Sequence, residues 1–312
     1  MPGFSVLRCY LSCYICRIIY NPIMKIVVLG ASGQLGSCLK KVSAERNLAN
    51  ISFPSEEEGN ILDADLLNKL FLKEKPSFVI NCAAYTAVDK AEDDQEICRK
   101  VNRDGATCIA IACAQHNAAL IHISTDFVFK GNVPHLLTET DRTEPENIYG
   151  LTKLEGEASI ATILPKHFTL RTSWLYSEYG NNFVKTMLRL GKERGQVGVI
   201  VDQVGSPTYA IDLAAAILDI IESNSEAYGI YHYSNEGVTS WYDFAKAIFE
   251  ISETSAVTNP VKTSEYITKA VRPAYSVMDK TKIKNTFGIK IPYWRDSLAV
   301  CIEKLEAIKN YK

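Results

Sequence analysis

From Lys25 onward, short apolar runs alternate with stretches of helical period. The runs at residues 26–29, 78–81, 120–124 and 168–170 are apolar on nearly successive positions rather than on every second one. That pattern predicts strands buried on both faces, as in a parallel sheet covered by helices. A shorter run at 51–53 is a weaker candidate for a second strand. Between these runs, residues 65–73 and 104–116 read as helices. Strand and helix in alternation predict an α/β, doubly wound parallel sheet. After Arg171 the pattern changes. It predicts a helix over 182–193, a short strand over 199–201 and a strong helix over 212–222 with Asp212 as its N-cap. Ser240 opens a further helix over 241–251, with Asp243 near the positive end of its dipole. The expected organisation is a sheet domain over 24–171 and a smaller mixed α/β substrate-binding lobe over 172–312, with some exchange of chain. A ligand cleft is expected between them.

Composition narrows the choices. The chain has 312 residues, 47% hydrophobic and 22% charged, with a net charge of −2. These are the proportions of a soluble globule and give no support to a nucleic-acid partner. No run reaches the roughly 18 apolar residues of a membrane span, so no membrane partner is expected. Nine cysteines, an odd number, include Cys82, Cys108 and Cys113 inside apolar runs. Free thiols in a reducing, cytoplasmic setting are expected. The first 23 residues are apolar between Phe4 and Tyr20 but are broken by Arg8 and Arg17, and carry Cys9, Cys13 and Cys16. They lack a signal-peptide cleavage site and a fourth metal ligand at a familiar spacing. Met24 stands directly before the first buried run, so residues 1–23 are read as an upstream extension. The five histidines are scattered without ligand spacing and none is assigned to a metal.

Three motifs carry chemistry. Gly30-Ala31-Ser32-Gly33-Gln34-Leu35-Gly36 follows the first strand and opens a helix. Missing side chains let such a turn approach a pyrophosphate, and the helix N-terminus offers it N–H groups and positive dipole. No single acid ends the second strand to bind ribose hydroxyls. Instead Glu56-Glu57-Glu58 follow, with no Arg or Lys to meet a 2′-phosphate, which leans the cofactor toward NADH over NADPH. Tyr149 and Lys153 stand four apart, on one helix face. An ammonium beside a phenol lowers its pKa and makes it a competent general acid or base. Ser124 and Thr125 end the fourth strand, where a hydroxyl can stabilise charge developing on a carbonyl oxygen. Taken singly, these are an ordinary tight turn, a solvated lysine and a strand cap.

Together and in this order, the motifs resemble the extended short-chain dehydrogenase/reductase family. The strings Asn81-Cys82-Ala83-Ala84-Tyr85-Thr86-Ala87-Val88-Asp89, Leu170-Arg171-Thr172-Ser173-Trp174 and Asp202-Gln203-Val204-Gly205-Ser206-Pro207-Thr208 add to the likeness, as does Arg272-Pro273. The resemblance covers Met24 almost to the C-terminus. It implies a Rossmann-type NAD(P)-binding domain and reduction of a nucleotide-linked sugar. Tyr149 would be proton donor, Lys153 its partner and ribose anchor, and Thr125 the hydroxyl on the substrate carbonyl. It implies Gly30, Gly33, Gln34, Leu35 and Gly36 at the pyrophosphate, Asp63 beside the adenine, and Ala84, Tyr85 and Thr86 along the cofactor. Val88, Asp126 and Trp174 would contact substrate. Some family members join subunits through Mg²⁺ held by acidic residues; the matching positions here are Cys38 and Ile211, so no metal is expected in a homodimer of this chain.

Two rival readings share these residues. A nucleotide-sugar epimerase or dehydratase has the same fold and Tyr/Lys pair but retains its NAD. A non-catalytic subunit, like the regulatory subunit of methionine adenosyltransferase, also resembles this family, though the full Thr125, Tyr149 and Lys153 set argues for an enzyme.

Overall fold

A computed structural model describes residues 24–133 and 135–310; the extension expected at 1–23 lies outside the described residues. Strand β1 (Ile26–Leu29) leads through the glycine turn into α1 (Gln34–Glu45). Then come β2 (Ile51–Ser52), α2 (Ala64–Glu74), β3 (Phe78–Asn81), the short α3 (Val88–Ala91) and α4 (Gln95–Arg99). A π turn at Lys100–Gly105 joins α4 to α5 (Ala106–Gln115), followed by β4 (Ala119–Thr125), α6 (Ile148–Ile163) and β5 (His167–Thr172). The second half holds β6 (Leu175–Tyr176), α7 (Phe183–Arg194), β7 (Gln196–Ile200), β8 (Val204–Gly205), β9 (Thr208–Tyr209) and α8 (Ala210–Glu222). It ends with β10 (Gly229–His232), β11 (Thr239–Ser240), α9 (Trp241–Ile251), β12 (Val257–Val261), α10 (Thr281–Phe287) and α11 (Trp294–Asn310).

Six parallel strands form one sheet in the order β10-β5-β4-β3-β1-β2. The winding reverses between β1 and β3, and in such sheets the crevice at that point is where ligands bind. Alternation along β1 explains the layering. Ile26 and Val28 pack with α1 and α8 on one face, while Val27 and Leu29 pack with α2, α5 and α6 on the other. Beside the sheet, α7, β7, α9 and α11 enclose a second core around Leu188, Val197, Phe244, Ile248 and Leu298.

Several sequence expectations are corrected. Asp212 is not an N-cap: α8 begins two residues earlier, after Tyr209, and Asp212 sits in its first turn. Its carboxylate accepts instead from Asn235 Nδ2 at 2.6 Å and Ser297 Oγ at 2.5 Å, tying α8 to α11. The strand expected at 199–201 starts at Gln196, because pairing with β12 extends it toward α7. Chain from beyond residue 172 contributes to the sheet layer, since β10 pairs with β5 and α8 covers β1. Asn182 caps α7 and Ser240 caps α9, each through its side chain.

Candidate active site

The glycine turn lies against the end of β3. Gly30 has φ +73, and a Cβ there would lie 2.5 Å from the Ala83 nitrogen, so only glycine lets the two chain segments approach. The turn feeds α1, whose N-cap Gly33 offers no side chain to its first N–H groups. A crevice of about 340 Å³ opens here, walled by Gly30, Gly33, Glu56, Asn60, Ala84 and Tyr85 among others. Backbone that close, free amides and a helix dipole fit the pyrophosphate of a dinucleotide. The far wall is held by the π turn. Buried Asn102 accepts from the Tyr85 N–H at 2.9 Å and donates to the Tyr85 carbonyl at 3.2 Å, fixing the segment after β3. A π bulge at a functional wall is a recurrent use of that irregularity.

The reacting set gathers where β4 ends. Thr125 closes the strand and caps the following 3₁₀ turn, accepting from the Phe127 N–H at 3.2 Å. Its own hydroxyl donates to Asp126 Oδ1 at 3.1 Å. Helix α6 starts beside this turn, capped by Asn147, whose Oδ1 accepts from the Gly150 N–H at 2.8 Å. Tyr149 therefore falls in the first helical turn, its ring edge-on to Phe127 with centroids 5.6 Å apart. Gly150 is what lets the helix in, since a Cβ there would lie 2.2 Å from the Phe127 carbonyl oxygen. One turn further, buried Lys153 donates from Nζ to the Ile123 carbonyl at 2.6 Å. The next turn brings Glu157, which accepts from Ser124 Oγ at 2.5 Å and Arg171 Nη2 at 2.7 Å, locking α6 to β4 and β5.

Burial sets the electrostatics. It pushes the Tyr149 phenol above its ordinary value, while the Thr125 hydroxyl draws it back. It lowers Lys153 to about 8, against the pull of Glu157. It raises Asp126 to about 6, against hydrogen bonds from Ser276 and Thr125. The expected phenol–ammonium pairing is thus corrected. Tyr149 and Lys153 share a helix face, but the lysine nitrogen is turned onto β4, and the groups acting on the phenol are Thr125, Asp126 and Cys98.

A second cavity, also about 340 Å³, lies in the lobe between Phe183, Met187, Val199, Trp241, Tyr266 and Arg272. Trp174 stacks on Trp241 with ring centroids 3.5 Å apart and planes 8° apart, so it backs this cavity from a left-handed backbone position (φ +48). Arg272 Nη2 donates to Asp89 Oδ2 at 2.7 Å, which ties the helix beginning at Val88 to the same cavity. Arg272 Nε is buried without a partner.

Of the residues marked from the sequence, Gly30, Gly33, Ala84 and Tyr85 line the crevice. Asp63 does not: its carboxylate accepts from the Asp65 and Leu66 N–H groups as the N-cap of α2, and residues 59–62 line the wall in its place. The Gln34 side chain accepts from Asn182, Leu35 and Gly36 are buried, and Thr86 is exposed outside the lining. Phe183, Trp241 and Tyr266 went unmarked; each is an ordinary aromatic in an amphipathic stretch, and only the tertiary arrangement turns them to one cavity. Among the described residues no cluster of three or more His, Cys, Asp or Glu is placed to hold a metal, and no helix is long and apolar enough to cross a membrane. Cys38 is buried, and Ile211 packs against the same core.

A family model described as the RmlD substrate binding domain matches residues 24–307. A dTDP-4-dehydrorhamnose reductase from Aggregatibacter actinomycetemcomitans is 41% identical over 284 residues, covering 88% of this chain and 97% of that protein. Among solved structures, a dTDP-4-dehydrorhamnose reductase from Clostridium acetobutylicum is 40% identical with a TM-score of 0.87, over 91% of this chain and 100% of that one. One from Bacillus anthracis, in complex with NADP, is 38% identical with a TM-score of 0.86, over 90% of this chain and 99% of that one.

Proposed function

The chain belongs to the RmlD substrate-binding-domain family, and from that membership we propose that it reduces dTDP-4-dehydro-β-L-rhamnose to dTDP-β-L-rhamnose with a reduced nicotinamide cofactor. One observation carries the reading. Thr125, Tyr149 and Lys153 converge at the carboxyl edge of the sheet, with Lys153 close enough to feel Cys82 of the glycine-turn crevice.

The glycine turn and the segment from Cys82 to Tyr85 would hold the dinucleotide, which supplies a hydride when bound. The rest is work for the chain's own side chains. Thr125 has a single hydroxyl proton, offered here to Asp126, and a substrate carbonyl oxygen at C4 would compete for it. Tyr149 delivers the proton to that oxygen; its high pKa keeps it protonated and able to act as the acid. Phe183, Trp241 and Arg272 would take the nucleotide part of the substrate, two aromatic faces beside a cation. For the cofactor, Glu56 lines the crevice and none of the described lining residues is cationic, which supports NADH. The Bacillus anthracis relative carries NADP, so NADPH is the necessary comparison.

The test is loss of absorbance of the reduced cofactor on adding the keto-sugar, run separately with NADH and NADPH. Stoichiometric consumption is expected; catalysis with retained cofactor would instead mark an epimerase. Tyr149→Phe should bind cofactor as the parent does and lose roughly 10²-fold or more in turnover. Undiminished turnover would refute the role of Tyr149.

A further inference from the structure

A line of buried hydrogen bonds runs from the crevice wall to Lys153. The Ala83 N–H donates to Asn81 Oδ1 at 3.0 Å, Asn81 Nδ2 stands 3.1 Å from His122 Nδ1, and His122 Nε2 stands 3.3 Å from Lys153 Nζ. Asn81, His122 and Lys153 are each about 1% exposed. Counting protons along this line decides its polarity. A backbone N–H can only donate, so Asn81 must face Ala83 with its oxygen and His122 with its NH₂ group. His122 Nδ1 is then the acceptor, and a neutral imidazole carries its proton on Nε2, pointing at Lys153. An ammonium at Lys153 would set donor against donor. A neutral amine accepts the Nε2 proton and still donates to the Ile123 carbonyl.

We propose that Asn81 and His122 form a polarity relay that docks Lys153 on β4 as a neutral amine. His122 is therefore a positioning residue that governs when Lys153 takes up its proton. Protonation of Lys153 sets donor against donor at His122, while the neutral form accepts the Nε2 proton and keeps its bond to Ile123. The groups facing Lys153 are consistent with this. Cys82 after β3 and Cys98 on α4 are thiols held up by burial, and Glu157 is already engaged by Arg171 and Ser124. His122 feels Lys153 and His167 and is held neutral by burial. The depressed pKa of Lys153 has the direction the relay requires.

The proposal rests on the reductase reading only for its kinetic consequence. Asn81→Asp is the informative variant. A carboxylate accepts from both Ala83 and His122 Nδ1, so His122 Nε2 becomes an acceptor and the ammonium is accommodated. Long-range ¹H–¹⁵N spectra of histidine-labelled protein should show His122 as the Nε2–H tautomer in the parent and as Nδ1–H in Asn81→Asp. In the reductase assay, where the Lys153 ammonium would anchor the cofactor ribose, kcat/KM should fall as pH rises past the point where Lys153 loses its proton. That limb should move up by about one pH unit or more in the variant, a tenfold shift in the ionisation constant. An Nδ1–H tautomer in the parent overturns the relay even if the variant does not fold. So does an unmoved limb in a variant whose His122 has switched. The expected tautomers without any consumption of reduced cofactor would sustain the relay and defeat the reductase reading.

Discussion

Asp126 is a carboxylate kept from solvent, with Oδ1 taking the Thr125 hydroxyl and Oδ2 lacking a partner. Its pKa of about 6 lies above the value of about 3.9 expected in the unfolded chain. The folded state therefore holds the proton more tightly, and ionised Asp126 opposes folding. That cost is absent below about pH 4, grows between the two values and is complete above the folded one. Asp126→Asn should raise stability at pH 7.5 by about 1–3 kcal/mol, with the gain shrinking toward pH 4.5. Urea unfolding at the two pH values checks it; a gain of equal size at both would remove ionisation as the cause. In the sequence the resemblance implies a substrate contact for this residue, but nothing there announces its burial. Ser276, whose hydroxyl draws the Asp126 pKa back down, stands 150 positions away in the chain and could not be paired with it by spacing.

At the scale of elements, the site is an arrangement of ends: the end of β4, the start of α6 and the π turn. Gly150 controls the approach of α6 to the turn after β4, because the Phe127 carbonyl occupies the space a side chain would need. Gly150→Ala must displace the first turn of α6 and Tyr149 with it. Stability should fall by about 1–3 kcal/mol, and turnover by tenfold or more, since sub-ångström placement of a proton donor matters. Thermal unfolding and kcat measured together check this; full activity with full stability would show that the helix start yields freely. The strands of the sheet were legible because buried runs such as 26–29 have no other economical fold, and Ser240 announced its helix as a cap, whereas Asn182, expected inside its helix, caps it instead. The π turn was not legible. Nothing in the composition of residues 100–105 marks a π turn, and the bond from the Tyr85 N–H to Asn102 within it joins residues 17 apart in the chain. The Tyr149–Lys153 spacing gave the shared face but not the lysine's partner, which was hidden in a histidine that looked like part of a strand.

For the molecule as a whole, the two halves named from the sequence share the sheet and its cover. The sixth strand of the sheet, β10, and the helix α8 that covers Ile26 and Val28 both come from beyond residue 171. A fragment of residues 24–171 would expose β5 as an edge and leave one face of β1 bare, both conditions that favour association over folding. Circular dichroism and sedimentation of that fragment should show an unfolded or aggregated chain, whereas residues 24–312 should unfold in one transition. A monomeric fragment with a cooperative melt would show that the sheet tolerates losing its last strand.

The stacked indoles of Trp174 and Trp241 also make the protein its own optical instrument. The chain has three tryptophans, and the third, Trp294, packs edge-on against Phe244 with centroids 5.7 Å apart in the same lobe. Every intrinsic indole emitter therefore resides in the lobe and none beside the glycine turn. Quenching or a spectral shift on adding a nucleotide sugar reads the lobe cavity directly, while dinucleotide occupancy registers only through energy transfer across the cleft.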